Sequence, residues 1–306
     1  MNRTIRIGTR DSELALWQAK TVQAALSKFG HKSELVPVKS QGDLVLDKPL
    51  YEFGITGIFT RSLDVALLTD EIDIAVHSMK DVPTTLPKGI IEAAVMERGA
   101  FQDVLVHKGT DFLNDESGII ATGSLRRKAQ WLHKYPNHRV VDLRGNVNTR
   151  LRKLNESDWN AAIFAAAGLE RIGLKPEACI DLQWMIPAPA QGALLVVTKE
   201  KDEQTIAALA ALHHKETALC VHIEREFLKT LEGGCTAPIG ALARTQGDHV
   251  HFKGALFSLT GEERLAVEER VPLIKSKGLG KSCAERILAD GGDRLMKEIK
   301  ESVKNL

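Results

Sequence analysis

Long apolar runs are missing from this 306-residue chain. The longest mostly apolar stretch, residues 161–169, is too short to cross a bilayer. The opening "MNRTIRIGTRDSELAL" lacks the apolar centre of a secretory signal, so the expected compartment is the cytoplasm. Cysteine is scarce: Cys179, Cys220, Cys235 and Cys283 are all there are. They form no C-x-x-C pair, and no histidine stands at a zinc-like spacing from a second cysteine, so no metal is expected. Disulfides are not expected in that compartment either. His213 and His214 are adjacent and would point different ways on a helix, poor geometry for one metal. Aromatics make up only 5% of the chain, and few lie near its basic stretches, which disfavours the stacking that single-stranded nucleic acids use. Net charge is only +1, so bulk charge nominates no partner. Fixed-length repeats, low-complexity segments and a heptad seam are absent, and a monomer is expected.

What is present is 43% hydrophobic and 26% charged residues, the balance of a soluble globular protein. The length suits two or three domains. Short β-type runs alternate with helix-type runs through the first two-thirds. "RTIRIGTR" leads into "DSELALWQAKTVQAAL", where Asp11 or Ser12 can cap a helix whose Ala15, Ala19, Val22 and Leu26 keep the helical period. "EIDIAVHS" precedes "MKDVP", and Pro83 stops regular continuation. "GIIATG", "HRVVDL" and "WNAAIFAAA" lead into "SLRRKAQWLHKY", "RGNVNTRLRKLN" and "GLERIGL". Such alternation predicts mainly parallel sheets covered by helices. Seams fall near "ERGAFQD" and "MIPAPAQGALLVV". The domain reading is therefore residues 1–96 with 193–213, residues 97–192, and a small α+β domain over 214–306. In the last, "HVHFKGALFS" and "ERLAVEERVPL" read as antiparallel strands around Thr260-Gly261, and Ser282 to Val303 as a terminal helix.

Ligands of open α/β sheets bind beyond the C-terminal strand ends. Arg10 ends the first strand; Ser78, Lys80 and Asp81 follow another. Thr122, Gly123 and Ser124 open a helix with Arg126 and Arg127 in its first turn. Arg144, Gly145 and Arg150 follow the next strand, and Arg171 the one after. Residues 122–153 hold nine Lys or Arg against Asp142 alone, a local charge of +8. Much of this is expected to be solvated surface, Lys128, Lys134, Arg152 and Lys153 above all. Arg126 and Arg127 are different. Cations in a first helical turn oppose the helix dipole by roughly 0.3–1 kcal/mol each, so an anion should compensate, and a carboxylate ligand would suit. Asp81 is either a turn cap before Pro83 or a carboxylate facing a cationic intermediate. Cys235, in "TLEGGCTAPIG", is either a buried thiol or a group poised for one lasting covalent bond. Gly233-Gly234 favours the second reading, because paired glycines permit close approach.

Together the stretches "RIGTRDSELALWQA", "DIAVHSMKDVP", "GSLRRKAQ", "LRGNVNTRLRKL", "AGLERIGL", "AQGAL" and "LEGGC" resemble the porphobilinogen deaminase (hydroxymethylbilane synthase) family, in family order, from about residue 6 to residue 240. The resemblance implies two domains like type II periplasmic binding proteins, hinged across a cleft, and a third, smaller one. It implies the joining of four porphobilinogen molecules into hydroxymethylbilane with loss of ammonia, on a dipyrromethane cofactor bound by thioether to Cys235. Every pyrrole unit carries two carboxylates, so the growing chain needs many cations; Arg10, Arg126, Arg127, Arg144, Arg150 and Arg171 match the family's arginines. Asp81 matches its catalytic acid. Ser12, Gln18, Ser78, Lys80, Thr122, Ser124, Gly145 and Gln191 match positions lining the cofactor and substrate sites. Two departures stand out. The loop "PLYEFGITGIF" has Glu52 and Thr56 where the family often has lysines, and Gly123 stands where a second hydroxyl residue is common. The competing reading is a non-enzymatic two-lobed binding protein for a small polycarboxylate, which would need neither Asp81 nor Cys235.

Overall fold

The computed structural model describes residues 3–39, 60–115, 117–231 and 237–304. Cys235, its two glycines, Glu52 and Thr56 lie outside the described residues. The chain opens with β1 (Ile5–Thr9), α1 (Glu13–Lys28) and β2 (Ser33–Pro37). Next come α2 (Arg61–Leu68), β3 (Ile74–Ser78), a 3-10 turn at Met79–Asp81 and β4 (Ile90–Val95). A second set follows: β5 (Asp103–His107), β6 (Ile119–Ala121), α3 (Leu125–Lys134), β7 (Arg139–Val141), α4 (Val147–Glu156), β8 (Ala161–Ala165), α5 (Ala166–Arg171) and β9 (Cys179–Asp181). Then come β10 (Leu194–Lys199), α6 (Glu203–Leu209) and α7 (Lys215–Thr230). The chain closes with β11 (Ile239–Gln246), β12 (His249–Phe257), β13 (Arg264–Pro272), α8 (Leu279–Ile287) and α9 (Asp293–Lys304).

These elements fall into two compact units, and the chain passes from one to the other at Gly99/Ala100, Gln191/Gly192 and Leu219/Cys220. In the first unit the sheet order is β2-β1-β3-β10-β4. β1 pairs in parallel with β2 and β3, whereas β10 runs antiparallel to β3 and β4. The buried stripe of α1, Ala15, Ala19, Val22 and Leu26, is the one its periodicity predicts. Ala19, Val22 and Leu26 pack with Ile5, Ile7, Ile74 and Val76 in one core cluster. Ser12 caps α1, its side chain accepting from the Ala15 backbone N–H. Polar ties join the strands as well: the fully buried Asp73 accepts from the Arg6 backbone N–H at 2.8 Å and from its guanidinium at 2.9 Å.

The second unit holds a sheet of order β7-β6-β8-β5-β9, with the same sense: β6 parallel to β7 and β8, β5 antiparallel to β8 and β9. In both sheets the antiparallel strand is the first strand after the chain changes unit. The order is the same in both, and the expected α/β class, two mainly parallel sheets with a small α+β region, is the one found. One face of β8 contributes Ala162 and Phe164 to a cluster with Leu143, Leu154 and Leu169. The other contributes Ala161 and Ile163 to a cluster around Trp131 of α3.

The last sheet, β11-β12-β13, is antiparallel throughout. Ala255 and Phe257 of β12 pack on Ala129 of α3. The β12–β13 turn approaches that helix so closely that a Cβ on Gly261 (φ 80°) would lie 2.4 Å from the Ala129 carbonyl. Two readings need correction here. The terminal helix expected over Ser282–Val303 is two helices, because Gly291 at φ 105° interrupts the helical backbone between them. The long helix α7 and the strand β11 were not singled out from sequence at all. Among the described residues, no helix is long and apolar enough to cross a membrane, and no group of His, Cys, Asp and Glu could hold a metal.

Candidate active site

In the first unit, β1 ends at Thr9 and hands over to Arg10 and the capping Ser12. β3 ends at Ser78, whose hydroxyl accepts from Gln18 Nε2 of α1 at 2.7 Å. Gln18, 4% exposed, therefore fixes the end of β3 from a buried position. Lys80 and Asp81 follow in the 3-10 turn, both half-buried. Arg10, Ser78, Lys80 and Asp81 thus follow or end two adjacent parallel strands, with Ser12 at the start of α1 and Gln18 within it bonded to Ser78.

The corresponding end of the second sheet is built differently. Thr122 and Ser124 follow β6, and the Ser124 hydroxyl caps α3 by accepting from the Arg127 N–H. Arg126 and Arg127 are only 5% and 6% exposed. The anion sought for them outside the chain lies within it. Arg126 Nη1 is 2.7 Å from Asp103 Oδ2, and Arg127 Nη2 is 2.8 Å from Asp103 Oδ1. Arg126 Nη1 also donates to the Ile186 carbonyl and Arg127 Nη1 to that of Ile163. Burial alone would push the Asp103 carboxyl up. The Arg126 and Arg127 charges, with hydrogen bonds from Arg126 and Gln191, outweigh it and hold Asp103 well below the usual carboxylate range. Gln191, fully buried, donates from Nε2 to Asp103 Oδ1 at 3.0 Å and to the Phe101 carbonyl at 2.8 Å. It orients the carboxylate from inside the protein.

Sequence reasoning missed Asp103. Its one signal was an acid at the head of an apolar run, "QDVLVH", in a chain whose α3 begins with two arginines and no acid.

Arg144 stands just ahead of α4. Its Nε donates to Asp142 Oδ2 at 3.2 Å, while its Nη2 is buried with no partner. Gly145, at φ 110°, turns the chain into the Asn146 cap of α4, and Arg150 Nε donates back to the Gly145 carbonyl at 2.7 Å. Arg171 lies in the last turn of the short α5, where a cation complements the dipole. Burial draws its guanidinium below its ordinary value, and Glu170 partly opposes this. A Cβ on Gly123 would lie 2.7 Å from the Leu143 carbonyl and 3.2 Å from Asp142 Oδ1. The missing hydroxyl there goes with a closer approach of the β6–α3 loop to the end of β7.

Family models match at this point. The "Porphobilinogen deaminase, dipyromethane cofactor binding domain" covers residues 5–207, and the "Porphobilinogen deaminase, C-terminal domain" covers residues 218–289. The porphobilinogen deaminase of Chloroherpeton thalassium is 40% identical over 98% of this chain and 99% of that protein. That of Pelobacter propionicus is 39% identical, covering 97% of each. The chain belongs to the porphobilinogen deaminase family. Its activity is that of a hydroxymethylbilane synthase, a transferase of tetrapyrrole biosynthesis that joins four porphobilinogen molecules and releases ammonia, and it uses a dipyrromethane cofactor. Among solved structures, a periplasmic substrate-binding protein of an ABC transporter from Coxiella burnetii is 15% identical, with a TM-score of 0.44 over 70% of this chain and 94% of that one.

Proposed function

We propose that the strand-end residues divide the family's reaction between charge neutralisation and catalysis. Arg126, Arg127, Arg144, Arg150 and Arg171, with Thr122, Ser124, Gly145 and Gln191, would hold the cofactor and the carboxylates of the growing chain. The observation that carries this reading is Arg144, whose buried Nη2 lacks an acceptor. Buried donors are nearly always satisfied, and a guanidinium edge in want of one suits a carboxylate. The pair Arg126 and Arg127 keeps one net positive charge after Asp103 is counted, so it acts as a fixed cationic field held rigid by Gln191. The same donor set fits a group bearing several carboxylates, which is what the dipyrromethane is. When bound, that group supplies the pyrrole carbon at which the chain is extended.

Arg10, Ser12, Gln18, Ser78 and Lys80, at or beside the ends of β1 and β3, would orient porphobilinogen. Asp81 is the catalytic acid in this reading. Its carboxylate would stabilise the positive charge that develops as ammonia leaves and would accept from the pyrrole N–H. Cys235 would form the thioether. The three-part division at residues 97, 193 and 214 is kept in this reading, supported by the presence of three separate sheets, and the enzyme would work as a cytoplasmic monomer.

Denaturing intact-mass measurement tests the attachment. The purified protein should carry an adduct of two pyrrole units, and Cys235→Ser should lack it. An unmodified mass on protein that turns over porphobilinogen would refute the assignment of Cys235.

A further inference from the structure

His77 is a buried titratable group with no task so far. It is 7% exposed, and its Nε2 is buried without a hydrogen-bond partner. Two other histidines use their rings, His213 Nδ1 accepting from the Val95 N–H and His138 Nδ1 from the Trp131 indole, whereas His251 Nε2 is, like that of His77, buried without a partner. Strand alternation sets His77 on the face opposite Ile74 and Val76, which pack in the α1 cluster. The second sheet offers a direct comparison. His77 pairs with Leu195 and Ser78 with Leu194, as Phe164 pairs with Val104 and Ala165 with Asp103. Phe164, at the matching position, is apolar and fully accommodated in a core cluster. Filling that site in the first unit with an imidazole is unfavourable for folding unless the ring serves something else. Burial first, and then the Arg10 charge, hold the imidazole down to about 4, so it is neutral at pH 7 and Nε2 can carry its proton. The parallel register of β1 and β3, Ile7 with Ile74 and Gly8 with Ala75, carries Arg10, just past the end of β1, to the level of His77.

We propose that His77 is a further substrate-binding residue, its Nε2–H donating to the porphobilinogen carboxylate that Arg10 attracts. This rests on the assignment of Arg10 to the substrate. A carboxylate on this edge would satisfy the orphaned nitrogen and take a second, directional contact in addition to the guanidinium. Phenylalanine has the ring without the donor, and glutamine carries an amide N–H in its place.

Steady-state kinetics on the cofactor-loaded enzyme test this with His77→Phe and His77→Gln, beside Arg10→Gln. His77→Phe should raise KM roughly 10- to 100-fold, the loss of one hydrogen bond to a charged group, with kcat changed less than about threefold. His77→Gln should recover most of the KM. In protein with 15N-labelled histidine, a non-reactive pyrrole bearing acetate and propionate should shift the His77 Nε2 resonance. An unchanged KM in His77→Phe while Arg10→Gln raises it would overturn the role of His77 alone. An unchanged KM in Arg10→Gln would overturn the substrate assignment beneath it. Equal losses of kcat and thermal stability in both His77 variants, with no Nε2 shift, would make the residue structural and also overturn the proposal.

Discussion

The two larger sheets share one strand order and differ in chemistry at the same corner. In each, one parallel strand leads into a serine-capped helix, β1 into α1 capped by Ser12 and β6 into α3 capped by Ser124. In each, the last residue of the third strand pairs with the first residue of an antiparallel strand that has just arrived from the other unit. At that pairing the first unit has Leu194 and the second has Asp103. The first turn of α1 carries Glu13, the charge its dipole favours, whereas that of α3 carries Arg126 and Arg127. The second unit tolerates this because Asp103 supplies the anion from beneath. One frame thus carries the Lys80–Asp81 turn after β3 and a buried arginine pair after β6. In the proposed assignment the first faces the cationic centre and the second the polyanionic chain.

The largest expected effect removes the acid. Asp81→Asn keeps size and loses charge, and turnover should fall by about 10²–10³-fold or more, with the cofactor still present by intact mass. Near-normal turnover would refute the role of Asp81. Next, Asp103→Leu places at the second unit the residue that the first has at this register. Two buried arginines would lose their carboxylate, which should destabilise the protein by about 3–5 kcal/mol. Thermal unfolding would show it, and a melting point equal to that of the wild type would mean the cluster is held by other contacts.

Acid should separate the two corners. Asp103 titrates below its unfolded value of about 3.9, so its contribution is complete above that pH and is lost only as pH falls through the lower folded value. His77 behaves differently. Its unfolded form takes a proton near pH 6.5, its folded form at about 4. The unfolded state therefore binds more protons between these values, and stability falls with falling pH across that window, by about 3 kcal/mol in all. Melting curves from pH 7 to pH 4.5 should flatten in His77→Phe and stay steep in Asp103→Leu. The smallest effect concerns the caps: Ser12→Ala and Ser124→Ala should each cost about 1 kcal/mol in chemical denaturation, and a much larger loss for Ser124 alone would point to a further partner of its hydroxyl.

Local chemistry was legible without coordinates. A cap at Asp11 or Ser12, the buried stripe of α1, the strand ends bearing Arg10, Ser78 and Arg144, and the arginine pair opening α3 follow from propensity and period, which act within a few residues. The ordered family stretches were legible too, and they carried the function. What could not be read was which distant residue completes each corner. Gln130 is an example: a middling residue of an amphipathic helix, it bonds both the Ile186 N–H and carbonyl and so ties α3 to the segment that returns toward the first unit.

The sequence by itself determined the alternating α/β class, the positions of the strand ends, the family and hence the reaction. The tertiary structure alone decided that Asp103 balances Arg126 and Arg127, that Arg171 sits at the end of a helix, and that His77 is buried without a partner. The reason is the antiparallel strand in each sheet. It arrives from a remote part of the chain, so the environment of β3 and β8 depends on pairings that no local pattern encodes, and burial turns those pairings into charge states.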